Sequence, residues 1–155
     1  MSTIKYQIIK PYDHESIELI ANWYFSEWNI PIQTTIEKIT KLSTDNCEFH
    51  VLMTLNNTPI ATGGLYNQVG LVNKEPRLTI LKNWLTLVYT KPESRGKGMG
   101  AFICNYIQDH SKFLGLKDIY LFTHSAENLY NRLGWKQLER LTLDGKDIVV
   151  MNKKI

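Results

Sequence analysis

The order of apolar and polar positions predicts a strand and then a helix at the start of the chain. Ile4 to Ile9 alternates as a first strand, which Pro11 ends. Asp13 is a typical N-cap, and the helix after it carries apolar side chains at helical spacing, namely Ile17, Ile20, Tyr24 and Trp28. Because aromatic residues at helical spacing usually pack inward, we expect the aromatic residues of this helix to belong to the core rather than to a substrate pocket, namely Trp23, Tyr24, Phe25 and Trp28.

The next segments predict a short helix and a β-hairpin. Thr34 and Glu37 form a capping-box pair, and the apolar face behind them consists of Ile36, Ile39 and Leu42. Two alternating strands follow, from Glu48 to Leu55 and from Ile60 to Tyr66. The turn Asn56-Asn57-Thr58-Pro59 joins them, so the strands are predicted to be antiparallel.

Two further features of this half concern irregular backbone. Gly63-Gly64 lies inside the second hairpin strand, where glycine indicates a bulge or a close backbone approach. Asn67 to Asn83 has no clear periodicity. We predict a long loop there, with room for a short irregular element, and long loops in compact domains often contact substrates.

The second half of the chain begins with a strand, a turn and a helix. An apolar run from Leu85 ends at Lys91-Pro92, and a glycine-dense turn leads from there into a helix that Gly115 stops. Apolar residues at helical spacing in this helix are Phe102, Ile103, Tyr106, Ile107, Phe113 and Leu114. Asp118 to Thr123 reads as the next strand. This order predicts a parallel crossover.

The last elements are a helix and a hairpin. Ser125 is predicted to cap a helix that Gly134 ends. Asp144-Gly145 is a strong two-residue hairpin signal between the predicted strands Trp135 to Leu143 and Lys146 to Met151. The chain is therefore expected to close with an antiparallel pair.

Composition narrows the class of protein. The chain has 155 residues, 43% of them hydrophobic, so we expect a single domain over residues 1–155. A net charge of +3 is too small for the basic surface of a nucleic-acid binder. Cys47 and Cys104 lack metal-ligand spacing, which favours free thiols over one disulfide and predicts a cytoplasmic protein without a metal ion. The sequence shows no signal peptide and no apolar run of roughly 18 residues, so we predict no membrane role.

The glycine-dense turn has the chemistry of an anion site. Gly96, Gly98 and Gly100 have no Cβ, so their amides can approach an anion and the backbone can take positive φ. The first amides of the following helix lack internal partners and lie at the positive end of its dipole. Arg95 and Lys97 add two full charges. A diphosphate is the ligand that this combination predicts.

The spacing of the glycines separates three kinds of diphosphate site. A P-loop requires Ser or Thr after a Gly-Lys pair, and Gly98 is followed by Met99, so that pattern fails. Gly96-x-Gly98-x-x-Ala101 satisfies the glycine pattern of a dinucleotide site, but the next strand ends in Leu121-Phe122-Thr123-His124 without the required acid. A dinucleotide therefore remains a minor alternative, beside a turn that binds nothing.

The third pattern is carried by two motifs. Arg95-Gly96-Lys97-Gly98-Met99-Gly100 matches R/Q-x-x-G-x-G/A, with Pro92 at the usual distance before it. Ala126-Glu127-Asn128-Leu129-Tyr130-Asn131-Arg132-Leu133-Gly134-Trp135 matches A-x-x-L-Y-x-x-L-G-F/W. In this order and at this separation, the two motifs resemble the GNAT N-acetyltransferase superfamily.

The resemblance implies both a fold and a co-substrate. The fold is mixed α/β, with a central, mostly antiparallel sheet of about six to seven strands, one splayed parallel pair and about four flanking helices. Acetyl-CoA would lie in the splay, its pantetheine arm along the main chain of Val88 and Thr90 and its pyrophosphate on the loop amides. The implied cofactor-binding residues are Val88, Tyr89, Thr90, Arg95, Gly96, Lys97, Gly98, Met99, Gly100 and Asn128.

The resemblance also assigns catalytic roles. Tyr130 would act as general acid toward the leaving thiolate, and the amide of Tyr89 is the nearest analogue of an oxyanion donor. No carboxylate lies between Trp84 and Thr90, where many relatives place a base, so His124 is the candidate base beside a chain of water molecules. Thr123 stands where the family commonly has Asn, which affects one cofactor contact.

The function predicted from the sequence is therefore transfer of an acetyl group from acetyl-CoA to a primary amine of a small molecule or peptide. The sequence does not identify the acceptor. A module that binds acyl-CoA or a dinucleotide without turnover is the alternative from another class. We expect no nucleic acid or membrane partner, and the resemblance permits a homodimer.

Overall fold

A computed structural model describes residues 2–155, and its centre is one seven-stranded sheet. The strands are β1 (Ile4–Ile8), β2 (Phe49–Leu55), β3 (Thr58–Tyr66), β4 (Trp84–Thr90), β5 (Asp118–Thr123), β6 (Lys136–Leu143) and β7 (Lys146–Lys154). Their order across the sheet is β1-β2-β3-β4-β5-β7-β6. Every neighbouring pair is antiparallel except β4 and β5, which are parallel.

Five α-helices accompany the sheet. They are α1 (His14–Trp28), α2 (Ile32–Thr40), α3 (Leu71–Lys74), α4 (Met99–Phe113) and α5 (Glu127–Arg132), with 3₁₀ turns at Thr44–Asn46, Pro76–Ile80 and Pro92–Ser94. The predicted mixed fold with one parallel pair is confirmed. The helix beyond the predicted four is the short α3, which lies in the segment predicted to be a long loop with an irregular element.

Helices cover both faces of the sheet because the buried strands are apolar on both sides. On β2, Val51 and Met53 pack in one cluster with Ile103 and Ile107 of α4, together with Tyr130 of α5. The intervening Leu52 packs on the other face, in a cluster with residues from α1 and α2, namely Ile17, Ile20, Tyr24 and Ile39. This arrangement places α4 and α5 on one face and α1 and α2 on the other.

The sequence placed the turns well and the helix caps poorly. Asn56 and Asn57 have φ of 51° and 68°, and Asp144 and Gly145 have φ of 51° and 77°, as two-residue hairpin turns require. The capping box at Thr34 was wrong, because the N-cap of α2 is Pro31, three residues earlier. No side chain caps the helix there.

Two other predicted caps also differ. Asp13 lies at the N-cap position of α1, but its carboxylate accepts from the Lys10 amide at 2.7 Å instead of capping the helix. Ser125 is not the cap of α5, because that position belongs to Ala126. The hydroxyl of Thr123 accepts from the amides of Ser125 and Ala126 at 3.3 and 3.0 Å, so it satisfies the donors that precede the helix.

The pairing of β3 is irregular at Gly63-Gly64, as predicted, but the extra residue lies on the neighbouring strand and the groups closest to Gly64 are mainly side chains. The pairing register between β3 and β4 shifts between Thr62 and Gly64, which leaves an extra residue on β4. Gly64 is also the point of closest approach, because a Cβ there would lie 2.6 Å from both His50 Nδ1 and Tyr66 Cε2. Any larger residue would displace these side chains.

Candidate active site

The parallel strands β4 and β5 separate to form a cleft of about 450 Å³. They pair only at Trp84 and Tyr120, so the strands diverge beyond that point. Val88 on β4 and Thr123 on β5 line the opposing walls, and Tyr130 lines the cleft from α5. Backbone groups of both strands are thus left without sheet partners, as an extended ligand with amide groups requires.

The glycine turn lies at one end of this splay and borders a second cavity of about 360 Å³. Gly96 and Gly98 have φ of 77° and 81°, which only glycine adopts without strain. A Cβ at Gly96, Gly98 or Gly100 would have no neighbour within 4 Å, so the loop is open. Within residues 2–155, no protein group accepts a hydrogen bond from the amides of residues 96–101. Six consecutive donors at a helix N-terminus fit a diphosphate.

The charges around the turn differ from those inferred from the sequence. Arg95 lines the cavity, but its guanidinium donates to the Thr90 carbonyl at 2.7 Å and pairs with Glu27 at 3.1 Å. Lys97 does not line the cavity, and its amine lies 3.5 Å from the Glu93 carbonyl. A basic residue that sequence reasoning missed, Arg132, lines the cavity from the end of α5. Its place in the second motif was the available signal.

The remaining predicted cofactor residues are divided between the cleft and other surfaces. Val88 lines the strand cleft, and Thr90, Met99 and Gly100 line the cavity at the turn. The buried Tyr89 side chain packs on the opposite face, in the cluster of α1 and α2. Asn128 is exposed on α5 and lines neither space.

Tyr130 lies at the boundary between the cleft and the core. It is 8% exposed, lines the strand cleft and packs edge-on against Trp135 with ring centroids 6.0 Å apart. Burial raises the pKa of Tyr130 above the usual range of a phenol, and the neighbouring Cys104 thiol raises it further. The pKa of Cys104 is itself raised to about 12 by burial. Both groups therefore keep their protons at neutral pH, and the phenol is a donor.

His124 follows β5 and lines the same cleft. The residue is exposed, so its imidazole has access to water. Tyr130 and His124, which the sequence singled out separately, are thus on one cleft. Its lining within the described chain contains no carboxylate.

A comparison with family models matches residues 14–135 to the acetyltransferase (GNAT) family. The matched region contains α1, the glycine turn and α5. The chain belongs to the GNAT acetyltransferase family. A search of curated protein sequences finds no match.

Solved structures with the same GNAT fold cover nearly the whole chain. An aminoglycoside 6′-acetyltransferase type Ii has a TM-score of 0.75 at 16% identity, covering 97% of this chain and 96% of that one. A putative acetyltransferase from Salmonella typhimurium with its cofactor acetyl-CoA has a TM-score of 0.72 at 12% identity, covering 97% and 93%. A putative phosphinothricin N-acetyltransferase has a TM-score of 0.71 at 14% identity, covering 99% of both chains. At these identities the likeness concerns the fold.

A third space opens on the other face of this GNAT sheet, where α1 and α2 pack. It measures about 270 Å³ and shares Thr86, Leu87 and Phe122 with the strand cleft. Ile30, from the connection between α1 and α2, also lines both. The two spaces therefore adjoin each other at Leu87.

The aromatic residues of α1 divide between core and surface. Tyr24 is fully buried, as predicted for the core. For Phe25 and Trp28 the prediction was wrong, since they are 48% and 44% exposed, and Trp28 lines the strand cleft. Helical spacing alone did not distinguish the buried Tyr24 from the exposed Phe25 and Trp28. The last two belong to the final turn of α1, which ends at Trp28 beside the strand cleft.

A buried polar chain connects α1 to the bulge of β4. The Tyr24 hydroxyl donates to the Leu87 carbonyl at 2.5 Å and lies 3.0 Å from His50 Nε2, while His50 Nδ1 lies 2.8 Å from the Tyr66 hydroxyl. These partners assign the proton to Nε2, so that Nδ1 accepts from Tyr66. We call Tyr24, His50 and Tyr66 the Tyr-His-Tyr chain.

The Tyr-His-Tyr chain stabilises strained backbone at Leu87, which lines both the strand cleft and the 270 Å³ space. Leu87 has a φ of 59°, which costs a non-glycine residue about 1 to 2 kcal/mol. The hydrogen bond from Tyr24 fixes the Leu87 carbonyl in this conformation. Burial lowers the pKa of His50 to about 3, with Lys38 as a further cause, and burial raises the pKa of Tyr24 and Tyr66. All three side chains of the Tyr-His-Tyr chain are therefore uncharged at physiological pH.

Among residues 2–155, no group of three or more His, Cys, Asp or Glu side chains is placed to hold a metal ion. Cys47 is half-buried and Cys104 is buried, and both are free thiols. In the same part of the chain, no helix has the length and apolar character needed to cross a bilayer.

Proposed function

We propose that this protein transfers an acetyl group from acetyl-CoA to a primary amine of a small molecule or peptide, with Tyr130 as general acid. Its membership of the GNAT family supports acetyl transfer in general. The observation that carries the specific proposal is the cleft between β4 and β5, which has uncapped amides at one end and the Tyr130 phenol in its wall.

Each group at the cleft has a defined task in this proposal. The amides of residues 96–101 bind the diphosphate of acetyl-CoA, and Arg132 adds a charge that has no ion-pair partner within residues 2–155. The unpaired edges of β4 and β5 bind the pantetheine amides. When bound, acetyl-CoA supplies the activated acetyl group.

Proton transfer is assigned to two side chains. Tyr130 donates its phenolic proton to the sulfur as the C–S bond breaks, because a thiol with a pKa near 8.5 leaves more readily when protonated. The amine forms the new N–C bond and loses a proton. His124, at the cleft and in contact with water, is the proposed acceptor of that proton, directly or through water.

Replacing Tyr130 by Phe tests the general acid. We expect kcat to fall about 100-fold with little change in the affinity for acetyl-CoA, because only the proton donor is removed. CoA release is followed with a thiol reagent across a panel of primary amines, and acetyl-CoA binding is measured by calorimetry.

Tyr106→Phe is the matched control for this experiment. Tyr106 stacks on Tyr6 with centroids 4.1 Å apart and lies outside the cleft, so its hydroxyl has no role in the proposal. Unchanged turnover in Tyr130→Phe with intact binding would remove Tyr130 from the mechanism. Stabilisation by NADP but not by acetyl-CoA in a thermal-shift screen would favour a dinucleotide site instead.

Replacing Arg132 by Gln tests the diphosphate cavity. We expect the KM for acetyl-CoA to rise about fivefold to tenfold with kcat little changed, because a charge-assisted contact to phosphate is lost. We also expect Arg132→Gln to leave the binding of pantetheine unchanged, because pantetheine lacks the diphosphate. Arg77→Gln is the control, since Arg77 pairs with Glu139 away from the cleft. Equal KM values for the wild type and Arg132→Gln would exclude the contact.

A further inference from the structure

The composition of the space of about 270 Å³ beside α2, which we call the acceptor pocket, restricts what it can bind. Its volume of about 270 Å³ lies below the 300 to 1,000 Å³ common for drug-sized ligands, which indicates a compact guest. The uncharged side chains that line it are either apolar, from Ile30, Val69, Leu87 and Phe122, or hydroxylic, from Thr34, Thr35 and Thr86. The only charged side chain in the lining given by residues 2–155 is Lys38.

The amine of Lys38 has no counter-ion in the described part of the chain. No carboxylate lies within 4.0 Å of it, and Nζ instead lies 4.5 Å from the centroid of the Tyr66 ring. Glu48 is the acid that acts on the pKa of Lys38. Its two oxygens accept from the amides of Ser43 and Asn67 at 2.9 Å each. Partial burial lowers the pKa of Lys38, and Glu48 opposes this effect.

We infer that the acceptor is a small primary amine with an apolar body and a carboxylate, and that Lys38 binds the carboxylate. The inference rests on the proposed acetyl transfer and names its substrate class. Lys38 is an exposed residue that lines the pocket, and a cation without a paired acid favours a charge-assisted contact with an anionic group on the ligand. An amine of the amino-acid type has both features.

A polycationic acceptor is disfavoured by the same geometry. It would place ammonium groups beside Lys38 in a pocket whose described lining has no carboxylate. Glu37 and Glu48 line an adjoining outer cleft, but Lys38 and Lys41 line it too, so the charges there balance. The pocket therefore selects by charge and by size.

The reaction balances for such an acceptor. The amine nitrogen bonds to the acetyl carbonyl carbon while the C–S bond breaks, and the sulfur takes the proton of Tyr130. The amine proton passes to His124 or solvent, and the phenolate left on Tyr130 takes a proton back from solvent, so both side chains return to their starting state. The products are an N-acetyl amino acid and CoA, with no oxidant or reductant required.

The first test compares acceptors that differ in charge and in size. L-leucine, L-leucinamide, 3-methylbutylamine and kanamycin are assayed for CoA release at limiting acceptor concentration. We expect kcat/KM for leucine to exceed that for the amide and for the simple amine by about tenfold, as one charge-assisted contact supports. Faster turnover of kanamycin than of leucine would overturn the inference and leave the proposed function intact.

The second test changes the side chain. Lys38→Met keeps the apolar stem and removes the charge, so kcat/KM for leucine should fall about tenfold while that for leucinamide is unchanged. Lys38→Arg should retain the preference for leucine. Lys112→Met, on the exposed side of α4, is the charge-matched control. Equal losses on both acceptors in Lys38→Met would make Lys38 a structural residue and overturn the inference.

A binding measurement separates failure of the inference from failure of the proposed function. N-acetyl-L-leucine is titrated in the presence of CoA, with tryptophan fluorescence as the signal because Trp28 lines the cleft. Binding that weakens about tenfold in Lys38→Met supports the site even if no amine is turned over, a result that would refute the acetyltransferase. Absence of both binding and turnover overturns both proposals.

Discussion

Replacing Gly64 by Ala should lower the free energy of unfolding by about 3 kcal/mol. The added Cβ would lie 2.6 Å from His50 Nδ1 and 2.6 Å from Tyr66 Cε2, with the Phe49 carbonyl at 3.1 Å. The two side chains would have to separate, which breaks the 2.8 Å hydrogen bond between them and leaves buried polar atoms unpaired. Urea unfolding at pH 7 measures the loss.

The chain offers a graded pair of controls for this variant. At Gly70 a Cβ has no neighbour within 4 Å and φ is −58°, so Gly70→Ala should be neutral or slightly stabilising. At Gly63 the closest atoms are Ile107 Cδ1 at 3.1 Å and Val88 Cγ2 at 3.2 Å, so the cost should be intermediate. A Gly64→Ala protein as stable as Gly70→Ala would mean that His50 and Tyr66 can repack freely.

Acidification from pH 6.5 to 4.5 should cost the wild type about 2 kcal/mol of stability through His50 alone. The pKa of His50 is lowered to about 3 in the folded protein by burial, whereas an unfolded histidine titrates near 6.5. Between these values the unfolded state binds the extra proton. Stability therefore rises with pH across this window and is lost as pH falls.

Variant comparison isolates His50 from the other groups that titrate in acid. His110 also has a pKa lowered by burial, and carboxylates such as Glu139 contribute at lower pH, so the raw slope contains several groups. His50→Gln should flatten the slope between pH 6.5 and 4.5, whereas exposed His14→Gln should keep it. Parallel stability curves for the wild type and His50→Gln would show that His50 is protonated without cost.

The sequence predicted those parts of the molecule that depend on local chemistry. The turns at Asn56-Asn57 and Asp144-Gly145, the open amides around Gly98 and the parallel crossover all follow from residues close together in the chain. Helix starts were less predictable, because the donors before α5 are satisfied by Thr123 rather than by Ser125. Several side chains can cap one helix, and only the backbone path decides between them.

Contacts between distant segments were not accessible from the sequence. The Tyr-His-Tyr chain joins α1, β2 and β3, and neither its histidine nor its tyrosines belong to a recognisable motif. Lys38 looked like an ordinary polar residue of an amphipathic helix, and only packing of α2 beside Val69 and Phe122 places it in a pocket. Arg95 kept its predicted position, but Glu27 from α1 takes up part of its charge.

The splay between β4 and β5 also affects the risk of aggregation. An unpaired strand edge is a template for pairing with another chain, and a sheet that separates in its middle has two such edges in addition to its outer ones. Here the inner edges flank a cleft of only about 450 Å³, with α1 ending at one face and α5 lying against the other. A strand from a second molecule cannot lie along them without displacing these helices, so the opening admits a slender ligand and resists amyloid-like assembly.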